Sequence, residues 1–175
     1  PGGSLEQRMK DKTLSIDAAI EILLPLAEAL QVMHDQGRVH RDVKPANILF
    51  DAYGEPKLTD FGLVKLLQSQ GESTLTATGT VVGTAEYMAP EVIGGDATPA
   101  ADQYALGVVL YEMVTGKRPY KGRTPMETIY MQKAAPLPDP LTFNPNLPEW
   151  LVAVLKKALA KDPTDRFDSI AEFAD

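Results

Sequence analysis

The sequence predicts a mainly α-helical unit that carries one small β-hairpin. Three observations lead there. Ile16, Ile20, Leu23, Leu24, Ala27, Leu30 and Met33 recur at helical spacing before Gly37. Tyr104, Leu106, Val108, Val109, Leu110 and Met113 crowd the stretch Thr98–Thr115. Two short apolar runs flank Asp51-Ala52-Tyr53-Gly54-Glu55, a turn-forming cluster.

The elements follow in order. Pro1-Gly2-Gly3-Ser4 is a turn leading into a helix, because Ser4 and Gln7 have capping-box spacing and Leu5 and Met9 share a face. Ser15 caps the second helix, and Pro25 in its middle costs a hydrogen bond and favours a bend. Ile48-Leu49-Phe50 and Lys57-Leu58-Thr59 are the two strands of the hairpin. Residues 63–86 hold Ser69, Ser73, Thr74, Thr76, Thr78, Thr80 and Thr84 with little periodicity, which predicts a mobile loop. The helix over Thr98–Thr115 is apolar on nearly every side and is expected at the centre of the core. A helix around Pro125–Ala134 precedes a loop punctuated by Pro136, Pro138, Pro140, Pro145 and Pro148. Two more helices are expected, from about Glu149 to Ala160 and from Phe167 onward.

Length and composition set limits. A chain of 175 residues that is 44% hydrophobic supports one domain with a real core. The net charge of −7 and the lack of a long basic run argue against nucleic acid as a partner. No stretch approaches the roughly 18 apolar residues a membrane span needs. The first residues lack the pattern of a signal peptide. The absence of cysteine excludes disulfides and thiolate metal sites, and a cytoplasmic location is the expectation.

The chemistry concentrates in one window, His40-Arg41-Asp42-Val43-Lys44-Pro45-Ala46-Asn47, with Asp60-Phe61-Gly62 following. The five motif residues of that window recur by chance in about one chain in ten thousand of this length, which makes coincidence a poor explanation. H-R-D-x-K-x-x-N followed by D-F-G resembles the catalytic loop and metal-binding turn of eukaryotic-type protein kinases. The resemblance covers the whole chain. Gly83-Thr84-Ala85-Glu86-Tyr87-Met88-Ala89-Pro90-Glu91 looks like the substrate-facing end of an activation segment. Asp102 opens the central helix with Gly107 behind it, and Asp162-Pro163-Thr164-Asp165-Arg166 matches the arginine that pairs with the A-P-E glutamate, here Glu91. The wording is most similar to bacterial serine/threonine kinases. No G-x-G-x-x-G and no V-A-I-K lysine occur, and Pro1-Gly2-Gly3-Ser4 resembles the segment just after the family's hinge. Residues 1–175 are therefore expected to be the C-terminal lobe alone, a large lobe with the small hairpin, and the N-terminal lobe is its missing partner.

The resemblance implies roles residue by residue. Asp42 is the candidate base for the substrate hydroxyl, and Lys44 brings a compact positive charge to the transferred phosphate. Asn47 and Asp60 are the expected metal ligands, hard oxygens that suit Mg²⁺, with Mn²⁺ as a possible replacement. ATP is the implied nucleotide. Leu49 matches a position under adenine, Leu5 a neighbour of it, and Ser4 loosely a ribose-facing position, although each also has a core or capping role. His40 is expected to stack with Phe61 and to be anchored by Asp102, while His34 has no special context. Thr84 is expected to bond Asp42 and Lys44. Arg41 with Thr76 and Thr78 suggests a phosphorylation switch, since a phosphothreonine pairs well with a guanidinium fork.

Two functions are in play. The first is ATP-dependent phosphorylation of Ser/Thr in protein substrates by a complete kinase domain; the isolated chain is expected to be inactive. The second is a non-catalytic lobe that binds protein partners. Small-molecule kinases share the aspartate–asparagine chemistry, but the Gly83–Glu91 segment points to protein substrates. Gly116-Lys117-Arg118 is no phosphate-binding loop, because the Ser/Thr and the glycine spacing are wrong.

Overall fold

A computed structural model describes residues 2–10, 12–60, 85–93 and 98–175. In chain order the elements are α1 (Leu5–Arg8), α2 (Ile16–Asp35), the strands β1 (Ile48–Phe50) and β2 (Pro56–Leu58), then α3 (Pro99–Thr115), α4 (Pro125–Ala134), α5 (Glu149–Ala158) and α6 (Ile170–Ala174). Short 3-10 turns cover Pro45–Asn47, Ala85–Tyr87, Pro90–Ile93, Pro140–Thr142 and Pro163–Asp165.

The helix starts follow from capping chemistry. Ser4 accepts from the Gln7 amide while the Gln7 side chain accepts from the Ser4 amide. Ser15 accepts from the Ala18 amide to start α2, which then runs through Pro25 without interruption. Burial of Ile22, Leu23, Leu26, Ala27 and Leu30 on both sides of Pro25 offsets the lost backbone bond. Gly116 ends α3 with a left-handed backbone (φ 70°), and its amide donates to the Glu112 carbonyl.

The core is built around α3. Tyr104, Leu106, Val108, Val109, Tyr111, Met113 and Val114 are completely buried, as the all-round apolar pattern predicts. Helices α2 and α5 pack on α3, and α6 packs on both α2 and α3. Gly107 permits the close α3–α5 approach: a Cβ there would lie 3.1 Å from that of Ala158. The hairpin lies against α2, with Ile48, Phe50 and Leu58 turned inward.

Three boundaries differ from the sequence expectation, each for a local reason. Strand β2 starts at Pro56 rather than Lys57, because the Asp51 carboxylate binds the Tyr53 and Glu55 amides and closes the turn early. Helix α6 starts at Ile170 rather than Phe167, because the Phe167 amide donates to the Gln103 side chain on α3 and Ser169 is the N-cap. Helix α5 stops at Ala158, which leaves the Ala160 carbonyl for Arg166. The loop expected over 63–86 lies outside the described residues except for Ala85 and Glu86, which belong to a 3-10 turn.

Candidate active site

The hairpin and the loop before it bring the motif residues together. Register pairs Ile48 with Leu58, and the Thr59 amide donates to the Asn47 carbonyl at 2.9 Å. Asp60 follows Thr59 directly, 13 positions after Asn47 in the chain, and its charge, like that of Asp42, acts on the His40 ring. The Asn47 side-chain amide donates to both the Asp42 carbonyl (2.9 Å) and the Asp42 carboxylate (2.8 Å). Lys44 Nζ lies 2.8 Å from the same carboxylate. With both Nδ2 hydrogens used on Asp42, Asn47 presents Oδ1, a hard oxygen without a partner among the described residues.

Arg41 (φ 72°) and Asp60 (φ 64°) are the non-glycine residues with left-handed backbone among those described. Such conformations cost about 1–3 kcal/mol and persist where surrounding contacts over-determine them, most often at functional sites. The contacts here are visible. Asp102, buried in the first turn of α3, accepts from the Arg41 amide through Oδ1 and from the His40 amide through Oδ2, both at 2.8 Å. A carboxylate in the first turn of a helix is favourably placed, so the same charge suits α3 and anchors the His40–Arg41 backbone.

His40 is completely buried. Its Nε2 lies 3.1 Å from the Thr59 carbonyl, while Nδ1 accepts from the Asp42 amide at 3.3 Å. That pattern requires the neutral ring with the proton on Nε2. Burial pushes its pKa below the ordinary value against the fields of Asp102, Asp42 and Asp60, so His40 joins the two acidic motif residues without itself being charged. Phe61, Thr76, Thr78 and Thr84 lie outside the described residues.

His34 corrects the sequence reading. It was expected to have no special context, yet its Nε2 lies 2.8 Å from Asp102 Oδ2, with both side chains buried. Its signal was present: Leu23, Ala27, Leu30 and His34 fall on one stripe of α2, so a polar group there must find a buried partner.

The three nucleotide-side candidates separate. Gly2–Ser4 runs antiparallel beside β1, with a bridge from Ser4 to Leu49. Leu49 is 41% exposed, an open apolar face next to Ser4. Leu5 is completely buried, in keeping with its core role: the first turn of α1 draws it inward. The Ser4 hydroxyl serves as the α1 cap.

Glu91 and Arg166 form a bidentate pair at 2.8 and 2.9 Å. The guanidinium also donates to the carbonyls of Ala160, Ala100 and Lys161, so all five of its N–H groups are used. This ties the turn Pro90–Ile93 to the segment after α5.

Among the described residues no cluster of three or more His, Cys, Asp or Glu side chains could hold a metal ion. The donor set here is of another kind, one amide oxygen and one carboxylate. It fits a hard divalent cation that takes its remaining ligands from phosphate and water, and fits neither zinc nor a thiophilic metal.

The chain is similar to known proteins along almost its whole length. The protein kinase domain family matches residues 1–173. The serine/threonine-protein kinase PknA of Mycobacterium tuberculosis is 44% identical over 93% of this chain and 36% of its own length. PknB of the same species is 42% identical over 88% of this chain and 25% of its own length. The chain thus spans about a third or less of these relatives. The structure of Rad53 1–466 in complex with AMP-PNP superposes with a TM-score of 0.79 at 28% identity, covering 99% of this chain and 43% of that one. The chain belongs to the protein kinase domain family and is similar to bacterial serine/threonine kinases.

Proposed function

We propose that this chain is the large lobe of an ATP-dependent serine/threonine protein kinase, and that the complete domain transfers the γ-phosphate of ATP to Ser or Thr hydroxyls of protein substrates. The observation that carries the reading is the convergence of Lys44 and Asn47 on the Asp42 carboxylate. Phosphoryl transfer needs positioning and charge more than covalent work by the protein.

Asp42 accepts or orients the proton of the incoming hydroxyl. Its carboxylate is held by Lys44 and Asn47, so its direction is set before a substrate arrives. Lys44 keeps a positive charge within reach of the transferred group. Asn47 Oδ1 and the Asp60 carboxylate would hold a divalent ion, Mg²⁺ or Mn²⁺, which supplies the charge that screens the phosphates of ATP. Leu49 offers an apolar surface on the nucleotide side.

The test is Asp42→Asn in the full protein that carries this chain. Transfer to a protein substrate should fall at least about 10²-fold, the scale of a positioned base, with the thermal transition of the parent retained. Unchanged turnover removes Asp42 from its role. The competing reading is a lobe that only binds partners. It wins if the parent protein itself transfers no phosphate.

A further inference from the structure

The turn Ala85–Tyr87 is fastened residue by residue to three different elements. The Ala85 carbonyl accepts from Nε2 of Gln132, a buried residue of α4, at 2.7 Å. Glu86 Oε1 lies 2.9 Å from Arg118 NH1, in the segment after α3. The Tyr87 hydroxyl donates to Glu112 Oε2 on α3 at 2.5 Å. Arg118 also reaches Glu112, with Nε 3.7 Å from Oε1.

The charge balance of this cluster is uneven. One guanidinium faces Glu86 and Glu112, and Glu6 adds its field at Glu112. The three paired side chains are between 18% and 25% exposed, so their charges are neither dry nor fully screened. Burial, aided by Glu86 and Glu6, pushes the Glu112 carboxyl above its ordinary pKa, while Tyr87 and Arg118 act the other way. Without Arg118, the Tyr87–Glu112 bond and the Gln132 contact alone would hold two repelling carboxylates across the turn.

We propose that Arg118 is a positioning residue for protein substrates, which holds the Ala85–Tyr87 turn against α3 by neutralising Glu86 and Glu112 together. This rests on the function proposed above and on the resemblance of Gly83–Glu91 to the substrate-facing end of an activation segment. Among the described residues, the ion pairs of Arg118 go to Glu86 and Glu112, and none goes to Asp42 or Asp60. Its loss should therefore weaken protein binding and spare the nucleotide.

The experiment is steady-state kinetics on the full protein that carries this chain, with ATP and a protein substrate varied in turn. Arg118→Gln should raise KM for the protein substrate about fivefold, the upper scale for a partly exposed ion pair, and leave KM for ATP within about twofold. Arg118→Lys keeps the charge but cannot face both carboxylates as a planar fork does, so it should recover only part of the loss. Glu86→Gln combined with Arg118→Gln should be less than additive. A protein-substrate KM that stays unchanged, or that moves together with the ATP KM and a lowered Tm, overturns the proposal. So does strict additivity of the two substitutions. If Arg118→Gln does not fold, Arg118→Lys and Glu86→Gln decide by the same KM split. A parent protein that phosphorylates no protein overturns the functional reading and the proposal with it. An active parent with unaffected variants overturns the proposal alone.

Discussion

Replacing Arg166 with Met tests the contact that ties the Pro90–Ile93 turn to the segment after α5. Arg166 has no exposed side-chain surface, whereas Glu91 is 21% exposed. All five guanidinium N–H groups are engaged, two with Glu91 and three with the carbonyls of Ala160, Ala100 and Lys161. The cation also lies 4.9 Å from the centre of the Tyr104 ring. Methionine fills much of the volume but leaves one carboxylate and three carbonyls without a donor. Breaking a buried pair from one side costs about 3–5 kcal/mol. For a domain of this size that corresponds to a fall in Tm of roughly 6–20 °C. Glu91→Gln should cost less, about 1–3 kcal/mol, because the amide can still accept from the guanidinium and Glu91 already reaches solvent. Adding Glu91→Leu to Arg166→Met should recover the part due to the stranded carboxylate, but not the part due to the carbonyls. Differential scanning calorimetry on the four proteins measures the series. A transition for Arg166→Met within a degree or so of the parent would refute the reasoning, since no stranded set of polar groups could then exist.

Two further outcomes follow from buried titratable groups. His34→Phe removes one of the three donors to the Asp102 carboxylate, and should cost about 1–3 kcal/mol, the scale of a hydrogen bond to a charged group; urea unfolding should show a lower midpoint with an unchanged slope. His34→Gln, which can still donate, should lose less. Lys161 donates to the Tyr120 hydroxyl at 2.7 Å and to the Gln132 carbonyl, and burial lowers its pKa to about 8. Between that value and the ordinary 10.5 the unfolded chain binds the proton that the folded chain has released, so this group makes stability rise with pH across the window. Tyr87, Tyr104 and Tyr120 have raised pKa values and act with the opposite sign where unfolded tyrosines ionise. The comparison is therefore the urea midpoint of the parent against Lys161→Met from pH 8 to about 9.5, below the usual tyrosine range. A variant with the same pH slope as the parent would show that Lys161 keeps its proton.

The elements that could be read from sequence are those whose cause is local. Ser4 with Gln7 and Ser15 with Ala18 satisfy helix starts within one turn of chain. The all-round apolar α3 admits no position but the centre, since only there can every face be covered. The motif residues were legible for a related reason: Asp42, Lys44 and Asn47 fall within six positions, and a short loop cannot carry their side chains far apart.

What only the tertiary structure decided depends on partners distant in the chain. Asp102 meets His34, His40 and Arg41 across more than sixty positions, and nothing in the neighbourhood of His34 says so except its place on a buried stripe. Leu5 and Leu49 are both apolar residues near one edge, yet one is drawn wholly into the core and the other stays open, a difference set by the packing of Gly2–Ser4 against β1. Nothing local to Gly116-Lys117-Arg118 points to a partner for Arg118; folding sets it between two carboxylates from separate segments. Local patterns specify which groups need burial or a partner. Which partner each obtains is settled when α2, α3 and the segments around them close on one another, because desolvation is relieved by whatever polar group that closure brings within about 3 Å.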